Sequence, residues 1–225
     1  MKFDALKYEK LLEYSNDIFL QKHMQKEKEF LLNLANINDK TIFDLGAGYG
    51  RILKIIKDFP SIIAIELLPN MFEELNNRYN NFSNIKLLNS DITKINDWYS
   101  KVNMTTPVFL IMQNTLGTIM GSTDILLESI KNIIHQDKGE IIISLFRQKA
   151  LSKWGLIFYE SIQEMAGKVD FDKSIFEEGI FVSNTGYKSK WFNDNEIKKI
   201  IEYFELPLVN EYWDETFCIL HLSNL

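Results

Sequence analysis

Hydrophobic residues recur along the chain in two alternating styles, short apolar runs and longer stretches spaced by threes and fours. Runs at 41–45, 61–66, 84–88, 107–112 and 140–146 read as strands. A continuous apolar run such as 61–66 is the pattern of a strand covered on both faces of a parallel sheet. Between the runs lie helical stretches. One follows the glycines at 46–50, and another starts at Pro69, whose missing N–H is harmless in a first turn, and carries Met71, Phe72 and Leu75. The asparagine cluster at 76–81 predicts a loop after it. A third begins at Ser122, carries Ile125, Leu126, Ile130, Ile133 and Ile134, and stops before Gly139, with His135 as a favourable charge in its last turn. Strands alternating with helices define an α/β fold with a mostly parallel, doubly wound sheet.

Both ends of this pattern carry additions. Residues 1–38 read as a helical cap, with Leu20, Met24, Leu31 and Leu34 on one helical face. After the fifth strand, an insertion at 147–178 presents Leu151, Trp154, Ile157, Phe158, Ile162 and Met165, an extra helix with a broad apolar face. Such an insertion falls on the crevice side of the sheet, which makes it a candidate substrate lid, with Tyr159 and Glu160 as candidate substrate contacts. Residues 179–191 follow as a strand or hairpin, then a helix from 193 to about 204, then a last strand at about 215–222. The length of 225 residues suits one domain with such an insertion.

The run from Thr41 to Arg51 is where chemistry enters. It starts as a strand, reaches the carboxylate of Asp44, turns on Gly46, Ala47, Gly48 and Gly50, and opens into a helix. Glycines let backbone N–H groups approach a ligand closely, as in nucleotide pockets. A dinucleotide fingerprint wants Gly or Ala three residues after Gly48, and Arg51 stands there. Asp44 would also repel a pyrophosphate and attract a cation. Glu66 lies 20 residues past Gly46, the spacing of a second-strand carboxylate that accepts from both ribose hydroxyls. Leu67 follows it, placed to lie against an adenine face. In a doubly wound sheet the ligand crevice opens at the carboxyl ends of strands one and four, so residues 113–115 should border it.

The pattern D-x-G-x-G-x-G from Asp44 to Gly50 resembles the first motif of class I S-adenosylmethionine-dependent methyltransferases, and residues 15–146 follow that family's order of motifs. The resemblance implies a seven-stranded sheet of order 3-2-1-4-5-7-6 and S-adenosyl-L-methionine as cofactor. It implies that Asp91 accepts the adenine amino group with Ile92 over the ring, although Asp91 could instead cap the next helix or leave that cap to Thr93. It places Gln113 beside the cofactor, Asn114 and Thr115 beside the methyl acceptor, and Tyr14 in a lid over the cofactor, although Tyr14 could instead pack at a helix interface. The run Asn114–Gly117 is more like that of small-molecule amine methyltransferases. It lacks the Asn/Asp-Pro-Pro-Tyr/Phe of enzymes acting on exocyclic base nitrogens or on glutamine.

Composition narrows the partners. The net charge of −6 offers no broad grip on a polyanion, which counts against nucleic acid and for a small-molecule acceptor. Cys218 is the only cysteine, so no internal disulfide or cysteine metal cluster forms; Cys218 and His221 lie on opposite faces of their strand. His23 has no acidic or cysteine partner at metal spacing, and no metal is expected. The first residues lack a signal-peptide core, and no apolar run nears the ~18 residues of a membrane span. A cytoplasmic protein is expected. No residue stands out as a base, which tilts the expected reaction toward an amine acceptor over a hydroxyl. An NAD-linked oxidoreductase and a non-catalytic cofactor-binding scaffold are the competing readings.

Overall fold

A computed structural model describes residues 4–13, 17–102, 105–119 and 121–224. The apolar runs form the parallel strands β1 Lys40–Leu45, β2 Ile62–Glu66, β3 Ile85–Asn89, β4 Thr106–Ile111 and β5 Glu140–Phe146. Every residue of β1, β2 and β5 is buried, because helices cover both faces of the sheet. Helices α1 Ala5–Glu13 and α2 Ile18–Leu32 precede β1. The crossovers are α3 Arg51–Ile56, α4 Pro69–Tyr79, α5 Ile95–Trp98, and the pair α6 Thr115–Thr118 and α7 Thr123–Asp137. After β5 come α8 Leu156–Ser161, α9 Gln163–Ala166, the strands β6 Ile180–Val182 and β7 Lys188–Lys190, α10 Asp194–Phe204, β8 Leu208–Trp213 and β9 Phe217–Ser223.

The main sheet runs β3-β2-β1-β4-β5-β9-β8, with β9 and β8 antiparallel. Counted by sheet strand, this is the order 3-2-1-4-5-7-6. One assignment needs correction. Residues 179–191 do not enter the main sheet; β6 and β7 form a separate two-stranded sheet, and the sixth strand of the main sheet is β8. Its sequence hides it. At the sheet edge, Val209, Asn210 and Glu211 are all exposed and the register shifts between Leu208 and Asn210, so the usual alternation is lost. The asparagine loop also starts later than its composition suggests, since α4 keeps Asn76 and Asn77 and ends at Tyr79.

Alternation along each strand sorts the core into two layers. Ile42, Ala64, Leu110 and Ile142 face α1–α4, α8 and the β6–β7 hairpin. Phe43, Ile63, Phe109 and Ile141 face α5, α7 and α10. Position 44 therefore shares its face with Ile42, under the N-terminal helices. Leu20 and Leu31 are buried in that layer, with Met24 and Leu34 packed against it. Glu9 of α1 accepts from Arg78 Nη1 and Nη2 at 2.9 and 2.6 Å and from Lys54 Nζ at 2.5 Å, which pins α1 across α3 and α4. Arg78 first, and Lys54 with it, hold Glu9 down to about 2. Tyr14 lies outside the described residues.

His135 reaches across to α10, its Nε2 2.9 Å from the carbonyl of Phe204, so it serves that helix's end as well as its own. Cys218 is buried in the second layer, and burial pushes its thiol up to about 12, leaving it unreactive. His221, on the other face, pairs with Glu140. Helix α10 starts with a capping box, Asn193 Oδ1 accepting from Glu196 N–H at 2.9 Å and Glu196 accepting from Asn193 N–H at 2.8 Å. Asn193→Ala should cost about 1 kcal/mol and lower Tm by about 2–4 °C, read by thermal unfolding. Among the described residues no helix is long and apolar enough to cross a membrane.

Candidate functional site

A cavity of about 530 Å³ opens at the carboxyl ends of β1, β2 and β4. Asp44, Gly46, Ala47 and Gly48 line it from the glycine turn, Glu66 and Leu67 from the end of β2. Asp91 and Ile92 follow β3, and Gln113, Asn114 and Thr115 follow β4. Residues from four separate parts of the sequence thus converge on one space. Tyr159 also lines it. Glu160 does not: it is exposed on the outer side of α8, one helical step away from the buried Tyr159.

The glycine turn is built around positive φ values, 81° at Gly46, 58° at Gly48 and 94° at Gly50. A Cβ on Gly46 would come within 2.8 Å of Thr115 Cγ2, whereas one on Gly48 would meet nothing within 4 Å. Ligand space therefore lies over Gly48. The amide groups of the turn are directed differently from the expectation that they reach a ligand. Gly46 and Ala47 donate to the Ile65 carbonyl at 3.0 and 2.9 Å, Gly48 donates to Glu66 Oε2 at 2.8 Å, and Gly50 to the Ala47 carbonyl. Leu68 N–H holds the other oxygen of Glu66 at 2.7 Å. Burial raises the Glu66 pKa, and these two amides work against the rise. The carboxylate is fixed in orientation, and each oxygen keeps a lone pair for a further donor.

Asp44 is 2% exposed, and its Oδ2 is buried without a partner. Burial pushes its carboxyl up to about 7; Arg51 opposes the shift, while Glu27 and Glu66 add to it. A buried polar atom without a partner at a cavity wall calls for a ligand donor.

Behind Asp44 lies a buried charge network that the sequence pattern did not reveal. Glu27 of α2 accepts from Arg51 Nη2 at 2.5 Å and from the backbone N–H of Gln113 at 2.7 Å. His23 Nε2 lies 3.1 Å from the same carboxylate and 2.7 Å from Ser144 Oγ. His23 therefore has an acidic partner one helical turn on, contrary to expectation; its purpose is to stitch α2 to the sheet. Burial alone would raise Glu27, but Arg51, then His23 and the Gln113 amide, hold it far below the carboxylate range. Among the described residues, no three or more His, Cys, Asp or Glu side chains group as a metal site. Gln113 Nε2 donates to Tyr8 Oη at 3.3 Å, which brings α1 to the cavity wall.

Two candidate contacts have structural duties. Asn114, like Gln113, holds a positive φ, and its amide pins the turn: Nδ2 donates to the Lys190 carbonyl at 3.0 Å and to Ser189 Oγ at 3.3 Å, and Oδ1 accepts from Phe146 N–H at 3.0 Å. Thr115 Oγ1 donates to the Met112 carbonyl at 2.7 Å. Asp91 takes the helix cap itself, accepting from Thr93 N–H and Oγ1 through Oδ1, so Thr93 does not replace it. Tyr8, Arg51, Phe146, Phe158, Tyr187 and Ser189 also line the cavity, although the sequence pattern assigned none of them to a ligand.

The sequence matches no family model and no curated protein. The structure is similar to the CcbJ methyltransferase from Streptomyces caelestis (13% identity, TM-score 0.60, 89% of this chain and 88% of that one). It is similar to an S-adenosylmethionine-dependent methyltransferase from Clostridium acetobutylicum (16% identity, TM-score 0.59, 97% and 96%). A third match is the Burkholderia thailandensis 1,6-didemethyltoxoflavin-N1-methyltransferase with S-adenosylhomocysteine bound (11% identity, TM-score 0.54, 97% and 87%). At these identities the likeness is one of fold: the sheet is that of the class I S-adenosylmethionine-dependent methyltransferases.

Proposed function

We propose that this protein binds S-adenosylmethionine and catalyses methyl transfer to a nitrogen of a small-molecule acceptor. The observation that carries the reading is Asp44, a buried carboxylate with one oxygen unpartnered at the cavity wall. A cationic α-amino group is the donor that suits it, and binding there would return Asp44 to its charged form. Glu66, held by Gly48 and Leu68, would accept from the sugar hydroxyls, and Leu67, Asp91 and Ile92, which line the same cavity, would hold the adenine.

Against a dinucleotide, the glycine-turn amides stand out. The N–H groups of residues 46, 47, 48 and 50 are all bonded within the protein. A pyrophosphate would find few donors and a carboxylate in front of it. When bound, S-adenosylmethionine supplies an electrophilic methyl group on a positively charged sulfur. The chain's part is to align the acceptor with that methyl and exclude water. Burial pushes Tyr8 up to about 12 and raises Tyr159 further, so neither serves as a base near neutral pH. An acceptor nucleophilic without deprotonation fits such a site, hence nitrogen.

Equilibrium titration of the purified protein with S-adenosylmethionine, S-adenosylhomocysteine and NAD tests the reading. Saturable binding of the first two and none of NAD is expected. Binding of NAD alone would overturn it in favour of an oxidoreductase.

A further inference from the structure

The cavity is chemically two-sided. Its three carboxylates, Asp44, Glu66 and Asp91, sit at the carboxyl ends of β1, β2 and β3. The side facing the hairpin is walled by rings: Tyr8 of α1, Phe146 at the end of β5, Phe158 and Tyr159 of α8, and Tyr187 beside Ser189. Resting on the cofactor reading above, we infer that this second side selects a planar aromatic or heteroaromatic acceptor, uncharged at the nitrogen that takes the methyl group.

Three observations point this way. First, the walls are fixed rather than adaptable. Tyr159 stacks on Phe181 with centroids 3.5 Å apart and 12° between planes, and its hydroxyl accepts from Trp191 Nε1 at 2.8 Å. Phe146 packs on Trp191 at 4.7 Å and meets Phe158 edge-on at 6.0 Å. A rigid aromatic slot favours flat ligands, which gain ring–ring contact at little entropic cost.

Second, the charge on this side is wrong for a protonated amine. Lys188 is exposed at the cavity rim, the lining carboxylates Asp44, Glu66 and Asp91 are taken up by the cofactor reading, and Glu27 behind the wall already holds Arg51. An aliphatic ammonium would face Lys188 and the sulfonium with no counter-charge of its own. Cation–π attraction offers limited relief, since one face of Tyr159 is covered by Phe181.

Third, the polar groups on this side are neutral. Burial keeps the phenols of Tyr8, Tyr159 and Tyr187 protonated, and Ser189 Oγ already accepts from Asn114 Nδ2, so none of them removes a proton. An aryl amine or ring nitrogen needs no such help. Its lone pair forms the new N–C bond while the C–S bond breaks toward sulfur, and any N–H proton then leaves to water.

The test uses the full chain saturated with S-adenosylhomocysteine and four small probes followed by saturation-transfer NMR. Aniline and quinoline are flat and neutral near pH 7.5, cyclohexylamine is puckered and charged, and cyclohexanol is puckered and neutral. The two aromatics should bind about tenfold or more tightly than either cyclohexyl compound. Tyr187→Ala, in a half-buried wall position, should weaken aromatic binding several-fold while S-adenosylhomocysteine affinity stays within about twofold; Phe158→Leu repeats the test from α8. Cyclohexylamine binding as tightly as aniline, cyclohexanol matching it, or both variants leaving aromatic affinity unchanged would each overturn the inference. Failure of S-adenosylhomocysteine to bind would strike the cofactor reading alone. The same probes titrated into the ligand-free protein would then decide the slot by the same order of affinities.

Discussion

Asp44→Asn is expected to make the ligand-free protein more stable above neutral pH and a poorer binder of S-adenosylhomocysteine. The carboxyl moves from its ordinary 3.8 to about 7 on folding because it is buried with an unpartnered oxygen. The folded state therefore holds the Asp44 proton more tightly than the unfolded state does. Stability from this group is complete below 3.8 and is lost as pH rises through about 7. At pH 8 the cost of keeping it ionised is on the order of 4 kcal/mol. Asparagine has nearly the same shape and does not titrate, so the variant's advantage over the parent should grow steadily from about pH 4 to pH 7 and level off by pH 8. Binding should move the other way, weakened by roughly 2–3 kcal/mol, or about 30- to 150-fold, for a lost charged hydrogen bond. Thermal unfolding across pH and calorimetric titration measure the two effects. A parent more stable than the variant at pH 8, or equal affinities, would contradict the role given to Asp44.

Glu27→Ala is expected to be the most damaging single change outside the central core. It would strand the buried Arg51 guanidinium, orphan the Gln113 N–H and leave His23 without its acid. Removing one partner of a buried pair costs about 3–5 kcal/mol, or on the order of 10 °C in Tm for a chain of this size. The double variant Glu27→Met with Arg51→Met, which removes both charges, should recover most of that loss. Because the folded pKa of Glu27 lies below its ordinary 4.5, the stability it lends is present above 4.5 and is lost as pH falls below it. The parent's acid unfolding should thus be sharper than that of the double variant. A Glu27→Ala protein within about 1 kcal/mol of the parent would show that the pair is only incidental.

The parts of the site that were legible in the sequence are those encoded by local spacing. Asp44, the glycines and Glu66 belong to one strand–turn–helix–strand unit, and the strands announced themselves as apolar runs because both their faces are covered. What escaped notice depends on contacts between distant segments. Glu27 meets Gln113 across 86 positions, and Tyr8 meets it across 105, with no periodicity linking them. Asn114 invited a substrate role as an amide at the right strand end. Two successive positive φ values there need anchoring, and its side chain supplies the anchor. For Glu160 the signal was present: with Phe158, Tyr159 and Ile162 buried, helical phase turns residue 160 outward. Strand β8 lacked a signal, since an exposed edge imposes little alternation on its residues.

The claim at the centre is that a cationic amine replaces the proton on Asp44. Calorimetric titration with S-adenosylhomocysteine at pH 6.5, in two buffers of different ionisation enthalpy, reads that exchange directly. With an Asp44 pKa of about 7, binding should release roughly half a proton or more per site, and Asp44→Asn should release almost none. Binding without proton release in the parent, or equal release from both proteins, would contradict it.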